Sequence, residues 1–173
     1  MRTNELFAKK TVFSFEVFPP KPDTPIETIY AALDELSQLY PDFISVTCGA
    51  SGSGSGGNRT VEVASAIKHT YGCETAAHMP CIYLTEDDAL RTLDELKKAG
   101  IENILALRGD ETPGRERAHV FEHASDLVAF IKRNAPEFNV TRRLLSLKVI
   151  RKPQTMAADI RNLKTKVDAG AAA

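Results

Sequence analysis

Short apolar runs alternate with amphipathic helical segments along most of the chain, and this alternation constrains the fold more than any other feature. Four runs are typical of strands, at residues 12–18, 43–49, 75–79 and 103–109. Other segments have the three-to-four spacing of apolar residues that favours helices, at residues 24–39, 60–70, 85–99, 122–133 and 156–169. This order predicts an α/β fold in which right-handed crossovers give a parallel sheet with the helices outside.

Two closures of such a sheet fit this order of elements. One is an open, doubly wound sheet, and the other is part of a (β/α)8 barrel. Ligands bind at the carboxyl ends of the strands in both, so polar residues at those ends are the candidates for a functional site.

The composition excludes several classes of protein. The net charge of −1 over 173 residues gives no broad basic field for nucleic acid or an anionic membrane. No apolar run approaches the ~20 residues needed to span a bilayer, and the N-terminal residues lack a signal-peptide apolar core, so we expect a cytoplasmic protein. The three cysteines have no CxxC spacing, which argues against disulfides or structural zinc, and no metal is predicted.

A carboxylate interrupts the first strand run, FSFEVFPPK at residues 13–21. Burial of an unpaired carboxylate is costly, so Glu16 needs a reason to be there. Alternation puts Glu16 on the same face as Ser14 and Phe18, the face that would point into a barrel. It could serve there as a general acid. The alternative is a structural carboxylate paired with an arginine or lysine.

Polar residues also end the other strand runs. Thr47 ends the second and His78 ends the third, while Arg108 and Asp110 flank Gly109 after the fourth. Because parallel strands end at one rim, we expect these side chains to meet there. Taken singly, His78 is more typical of a structural histidine, and Arg108 with Asp110 of a local ion pair at a turn.

A glycine-rich loop, GASGSGSGGNRT at residues 49–60, follows the second strand run. Its backbone N–H groups and the helix that follows could hold an anion, but the loop lacks the Walker A pattern and could equally be a flexible linker. An unrelated phosphate-binding α/β protein is therefore one alternative.

Six motifs in this order resemble the methylenetetrahydrofolate reductases of bacterial type: FSFEVFPPK, SVTCGASGSG...RT, AHM, LALRGD, HASDLVAFIK and ADIRNLKTKVDAGA. They span nearly the whole chain. The resemblance implies a (β/α)8 barrel with FAD at the carboxyl ends of its strands. It implies reduction of 5,10-methylenetetrahydrofolate to 5-methyltetrahydrofolate, with NAD(P)H as electron donor. The family's members are commonly oligomeric, so a homo-oligomer is also compatible.

The resemblance also assigns roles to individual residues. Glu16 matches the general acid that helps to open the folate ring, and Asp110 matches a residue between flavin and folate. Lys166 lies in a helix that meets the FAD phosphates and would neutralise their charge. The implied FAD contacts as a set are Thr47, Ala50, His78, Leu107, Arg108, Gly109, Asp110, Ala124, Asp159, Asn162 and Lys166.

The segment 141–155, TRRLLSLKVIRKPQT, departs from the family, whose fifth strand should end in an acidic, proline-rich motif like [YF]-P-E-G-H-P-E. One choice of codons for residues 146–155, read two bases later, encodes P-E-G-H-P-E-A-P-D. Two compensating frameshifts would explain the segment, with the family frame restored by Met156.

The chain also ends where the family's sixth strand should start, so we expect about five of the eight βα units. An unclosed barrel would expose two sheet edges and an apolar inner face. We therefore expect this polypeptide alone to bind FAD poorly and to have little reductase activity. The alternative function is a non-catalytic remnant of the family, an α/β module without cofactor.

Overall fold

The computed structural model describes residues 1–21, 23–48, 55–142, 161, 164, 165 and 167–170. The strands are β1 (Ser14–Val17), β2 (Phe43–Val46), β3 (Thr75–Pro80), β4 (Asn103–Leu107) and β5 (Asn139–Arg142). The helices are α1 (Thr3–Phe7), α2 (Thr28–Ser37), α3 (Ser55–His69), α4 (Glu86–Lys98) and α5 (Ala124–Asn134). No helix among the described residues has the length and apolar character needed to cross a membrane.

The five strands form one parallel sheet in the order β1-β2-β3-β4-β5. Every strand therefore lies beside its predecessor in sequence. A doubly wound sheet reverses its strand order at a switch point, whereas a (β/α)8 barrel adds each strand on the same side. The sequential order decides between the two closures, and the fold is the barrel type, with five strands in the described residues.

The outward face of the sheet carries the core. Most residues that point to this face are at most 7% exposed, Phe15 being partly buried, and they pack against helix residues such as Leu33, Ile67 and Ile131. Burial of such side chains contributes about 0.8 kcal/mol for each CH2 group. The buried outward strand residues are Val17, Ile44, Val46, Ala77, Met79, Ile104, Ala106 and Val140.

The inward face is largely polar. The register pairs Glu16 with Ser45 and Ser45 with Ala76, which pairs with Asn103. These residues share one face, since register partners in a parallel sheet point the same way. The side-chain alternation predicted for the first strand run is therefore confirmed, and Glu16 lies on the inward face.

Helix α1 was not predicted from the sequence, and it covers the amino-terminal end of the inward face. The Thr3 N–H donates to Asn103 Oδ1 at 2.9 Å, and Asn139 Nδ2 donates to Thr3 Oγ1 at 2.9 Å. Asn103 and Asn139 are 0% and 4% exposed. Their hydrogen bonds satisfy polar groups that would otherwise be buried at a cost of a few kcal/mol.

The predicted starts of two helices were wrong. Helix α2 begins at Thr28 rather than at residue 24. Helix α3 begins at Ser55 rather than at residue 60, so Gly56 and Gly57 belong to the helix. The predicted glycine loop is correspondingly shorter, and residues 49–54 lie outside the described residues. Arg59 Nη1 donates to the carbonyls of Lys21 and Thr24, both at 2.7 Å, and these bonds hold the start of α3 against the segment after β1.

Helix α4 agrees with its prediction. Thr85 is its N-cap and accepts a hydrogen bond from the Asp88 N–H at 3.1 Å. Gly100 follows the helix at φ +68°, a conformation that glycine adopts without strain. The last predicted helix, at 156–169, falls mostly outside the described residues, of which 161, 164, 165, 167 and 168 are helical.

Candidate active site at the carboxyl ends of the strands

Glu16 and His78 approach each other across the inward face of the sheet. Oε2 of Glu16 on β1 lies 3.4 Å from Nε2 of His78 on β3. The Glu16 side chain is 52% exposed, whereas that of His78 is 7% exposed. The sequence predicted both residues at this rim. Their direct contact was not predicted, because β1 and β3 are separated by β2.

Thr47 lies beside this pair at the end of β2. Its N–H donates to the Val17 carbonyl at 2.9 Å, and its carbonyl accepts from Thr60 Oγ1 at 3.1 Å. Thr47 is 8% exposed, and its Oγ1 is buried without a hydrogen-bond partner. A buried hydroxyl without a partner costs free energy, so this atom offers a hydrogen bond to a ligand at the rim.

The end of β4 is held against β3 by two backbone hydrogen bonds beyond the strand itself. The Cys81 N–H donates to the Leu107 carbonyl and the Ile82 N–H to the Arg108 carbonyl, both at 2.9 Å. Gly109 follows at φ +85°. The position of residues 107–109 is therefore set by β3.

Gly109 is required by packing as well as by its backbone angle. A Cβ at this position would lie 3.0 Å from Cβ of Pro80 and 3.1 Å from Cγ2 of Ile82. Such contacts are shorter than a normal van der Waals separation. The glycine thus allows the β4 end to pack closely on the residues after β3, and its contact with FAD remains a prediction.

A pocket of about 290 Å³ opens beside the β4 end. It brings together three of the predicted cofactor residues, Leu107, Gly109 and the exposed Asp110. The remaining lining residues are Cys48, Pro80, Ile82, Tyr83, Glu111, Thr112 and Pro113.

Tyr83 is a pocket residue that the sequence reasoning missed. Its hydroxyl accepts a hydrogen bond from the Thr112 N–H at 2.6 Å, and the Arg115 guanidinium lies 4.0 Å from its ring centroid. Such a cation–π contact contributes roughly 0.5–1 kcal/mol at exposed sites. Tyr83 therefore holds the segment after β4 over the pocket. No local pattern in the sequence signals this contact between two loops.

The segment after β4 carries a chain of ion pairs. Glu111 pairs with Arg108 at 3.2 Å and also with Arg117. Hydrogen bonding from Arg108, together with the charge of Arg117, lowers the pKa of Glu111. The predicted local ion pair of Arg108 thus exists, but its partner is Glu111 rather than Asp110.

Cys48 borders the same pocket. Burial raises the pKa of its thiol, partly offset by a hydrogen bond with Thr60 and by the charge of Arg115. The neutral thiol is therefore favoured, and Cys48 contributes a small apolar surface to the pocket wall.

One predicted cofactor residue lies away from this rim, and four others fall outside the described residues. Ala124 begins α5 and is 1% exposed, so its side chain belongs to the core. Ala50, Asp159, Asn162 and Lys166 lie outside the described residues. Within the described residues, no group of three or more histidine, cysteine, aspartate or glutamate side chains is arranged to hold a metal ion.

Comparison with known proteins decides the family. The family model described as methylenetetrahydrofolate reductase matches residues 2–173. The chain belongs to the methylenetetrahydrofolate reductase family. It is 39% identical over 158 residues to the 5,10-methylenetetrahydrofolate reductase of Escherichia coli, covering 91% of this chain and 51% of that protein. It is 32% identical to methylenetetrahydrofolate reductase (NADH) 1 of Arabidopsis thaliana, covering 94% of this chain and 29% of that protein.

The chain thus spans about half the length of its bacterial relatives in this family. Solved structures with a similar fold are much less alike in sequence. A phosphoenolpyruvate phosphomutase from Streptomyces platensis matches with a TM-score of 0.60 at 16% identity, covering 98% of this chain and 60% of that one. A 4-hydroxy-tetrahydrodipicolinate synthase from Methylacidiphilum fumariolicum matches with a TM-score of 0.54 at 14% identity, covering 77% and 44%. At these identities the likeness concerns the fold alone.

Proposed function

We propose that this chain provides the flavin- and folate-binding rim of a reductase that converts 5,10-methylenetetrahydrofolate to 5-methyltetrahydrofolate, with NAD(P)H as electron donor. Membership of the family supports the reaction. The observation that carries the proposal is the contact of Glu16 with His78 on the inward face, at 3.4 Å between Oε2 and Nε2. An ionisable pair on this face has no role in packing the outward core.

The described residues fit a flavin at the rim. Thr47 Oγ1 is buried without a partner, so a polar edge of the ligand would satisfy it. The pocket beside Leu107, Gly109 and Asp110 extends the same rim toward the end of β4. FAD held by these residues would supply the hydride-transfer chemistry between NAD(P)H and the methylene carbon of the folate.

Glu16 acts on the folate in this proposal. Its carboxyl group gives a proton to a ring nitrogen of 5,10-methylenetetrahydrofolate, and the bond between that nitrogen and the methylene carbon breaks. The electron pair of that bond stays on the nitrogen, while the lone pair of the other ring nitrogen forms a C=N bond to the methylene carbon, which gives an iminium that can accept hydride. Strand β1 fixes the backbone of Glu16, and a positioned proton donor contributes typically 10²- to 10⁴-fold to a rate.

Asp110 and the phosphate-binding residues complete the proposed site. Asp110 is exposed beside the pocket, where its charge would act on both flavin and folate. We assign Arg108, Asp159, Asn162 and Lys166 to FAD on the family resemblance, with Lys166 neutralising phosphate charge.

A non-catalytic remnant of the family is the second candidate. Phe13 and Phe18 border β1 and are 50% and 70% exposed, and β1 pairs on one side only among the described strands. Exposed aromatic side chains beside a sheet edge favour association rather than tight ligand binding. We therefore propose that a polypeptide of the printed sequence, by itself, retains little FAD.

Titration with FAD separates the two candidates. Two proteins would be titrated with FAD: the 173-residue chain itself, and the protein expressed from the gene in its native sequence context. Flavin fluorescence reports binding. Each protein would then be mixed with NADH or NADPH and 5,10-methylenetetrahydrofolate. The proposed function predicts flavin-dependent formation of 5-methyltetrahydrofolate by the gene product. A gene product that is folded but binds no FAD would establish the remnant instead. Tight, stoichiometric FAD retention by the 173-residue chain would contradict the expectation for that polypeptide.

A further inference from the structure

The exposure of Glu16 raises the question of where its proton comes from. A general acid that works near neutral pH must hold a proton there, and burial is one way to keep a carboxyl group protonated. The side chain of Glu16 is instead 52% exposed. The buried partner of the pair is His78, at 7% exposure, and imidazole is the side chain that ordinarily gains and loses a proton near pH 6.5.

We propose that His78 stores the proton that Glu16 donates, so that the imidazole and the carboxyl group share one proton and act together as the acid. This catalytic part of the inference rests on the proposed reductase function, whereas the sharing of a proton does not. His78 is accordingly a positioning and proton-supplying residue that acts through Glu16.

The separation of the two side chains allows the transfer. At 3.4 Å, Nε2 and Oε2 are slightly beyond an ideal hydrogen bond, and such bonds between catalytic groups are often long before the substrate binds. The half-exposed Glu16 side chain has room to rotate toward the imidazole. His78 is fixed, because β3 is paired with β2 on one side and β4 on the other.

Among the described residues, Glu16 is the charged side chain in direct contact with His78 on this face. The inward neighbours from β2 are Ser45 and Thr47, and those from β4 are Leu105 and Leu107, all without charge. The Glu16 carboxylate at 3.4 Å therefore stabilises the imidazolium form, and burial opposes it.

Other titratable groups at the described part of the rim line the pocket beside the β4 end or form an ion pair of their own. Cys48 and Asp110 line the pocket beside the β4 end, and Arg108 is paired with Glu111 at 3.2 Å. We therefore expect their effect on His78 to be smaller than that of Glu16 at 3.4 Å.

The proton transfer balances within the pair and the substrate. The Nε2–H bond of the imidazolium breaks as an Oε2–H bond forms on Glu16, and the carboxyl group gives one proton to the substrate nitrogen. The imidazolium becomes neutral imidazole, and the substrate nitrogen gains one hydrogen. A proton from solvent reloads the pair after the product leaves.

The electrostatic coupling of Glu16 and His78 can be measured in the 173-residue chain without any ligand. The titration of His78 would be followed by NMR of its ring protons in the wild type and in Glu16→Gln, with His78→Asn identifying the signal. A nearby carboxylate favours the imidazolium form and so raises the titration midpoint of the imidazole. Glu16→Gln should therefore lower the titration midpoint of the His78 imidazole by about one pH unit. Two groups are regarded as coupled when their interaction shifts a titration by about that much. A midpoint that stays where it was overturns the proposal.

A matched pair on the surface provides the control. Nδ1 of His119 lies 3.0 Å from Oε1 of Glu122, and both side chains are more than half exposed. Glu122→Gln should leave His78 unchanged, because solvent screens exposed charges. A shift of His78 in Glu122→Gln equal to that in Glu16→Gln would mean a general change of the chain, and it would also overturn the proposal.

Kinetics on the gene product test the catalytic part separately. His78→Asn should slow the oxidation of reduced flavin by methylenetetrahydrofolate at least tenfold more than it slows the reduction of flavin by NAD(P)H, and it should move the pH profile of the first step. Equal losses in both steps would mean that His78 serves only to hold flavin, and would overturn the proton-supplying role. Absence of any flavin-dependent activity in the wild type would refute the proposed function, while the NMR titration still decides whether the pair shares a proton.

Discussion

Asn139 of β5 donates from Nδ2 to Oδ1 of Asn103 on β4 at 2.9 Å, and both side chains are buried beneath α1. The same Asn103 oxygen accepts from the Thr3 N–H at 2.9 Å. Two neighbouring strands and the first helix are thus joined by one polar network at the amino-terminal end of the sheet. The opposite end of the strands carries the candidate site. The amino-terminal ends of the strands thus contribute to stability and the carboxyl-terminal ends to function, as is usual in this fold.

Removal of one member of this network should cost more than an ordinary surface hydrogen bond. Asn103→Ala leaves the Thr3 N–H and the Asn139 amide buried without their shared acceptor, so we expect a loss of roughly 2–4 kcal/mol in the free energy of unfolding. Urea denaturation measures it. The control is Asn134→Ala on the exposed end of α5, where Nδ2 donates to the Phe130 carbonyl at 2.9 Å. Equal losses in the two variants would contradict this account.

Gly109 and Gly114 offer a matched test of packing at the site. Both have positive φ, +85° and +78°, but a Cβ at Gly109 meets Pro80 at 3.0 Å, whereas nothing lies within 4 Å of one at Gly114. Gly114→Ala should cost about 1 kcal/mol from the left-handed backbone alone. Gly109→Ala should cost a further 1–3 kcal/mol, since overpacking is added to it. Thermal unfolding of both variants checks the difference, and a Gly109→Ala as stable as Gly114→Ala would refute the close packing of β4 on β3.

The buried thiol of Cys73 should make the stability of the fold depend on pH in alkaline solution. Burial raises the pKa of its thiol from the ordinary value of 9.0 to about 11, with added repulsion from Glu74 and Asp42. Between pH 9 and 11 the unfolded thiol has lost its proton while the folded one retains it, so stability falls as pH rises. Cys73→Ala should make the loss of stability over this range shallower than in the wild type. Parallel curves for the two proteins would show that the thiol does not contribute.

The segment 141–155 gives a prediction about the gene rather than the folded chain. We propose that two compensating frameshifts account for its basic and apolar composition. Independent sequencing of the coding DNA from codon 138 onward should reveal a frame that encodes P-E-G-H-P-E in place of residues within 146–155. A read that repeats the printed frame, with no insertion or deletion against related genes, would reject the proposal.

Elements with a strong local pattern were predictable from the sequence. The outward residues of β3 and β4 and the caps of α4 follow from alternation, from Thr85 and from Gly100. The early start of α3 was missed, because Gly56 and Gly57 disfavour a helix by propensity and tertiary contacts of the segment override it. Helix α1 was missed because five residues give too short a pattern to detect.

The candidate site was predictable in its members and less so in its contacts. Strand alternation and the resemblance together placed Glu16, Thr47 and His78 at one rim. The contact of Glu16 with His78 depends on how β1 and β3 lie across β2, and the hydrogen bond of Thr112 to Tyr83 joins two loops. Neither contact leaves a repeating pattern in the sequence, so only the folded structure reveals these two contacts.

The most direct test of the account is the effect of Glu16→Gln on the two half-reactions of the gene product, measured in single turnovers. The matched control is Glu35→Gln, a carboxylate on the exposed face of α2. We predict that Glu16→Gln still binds FAD and still allows its reduction by NAD(P)H, while transfer from reduced flavin to methylenetetrahydrofolate falls 10²- to 10⁴-fold. Glu35→Gln should match the wild type. Transfer to the folate at the wild-type rate in Glu16→Gln would contradict the assignment of Glu16 as the acid.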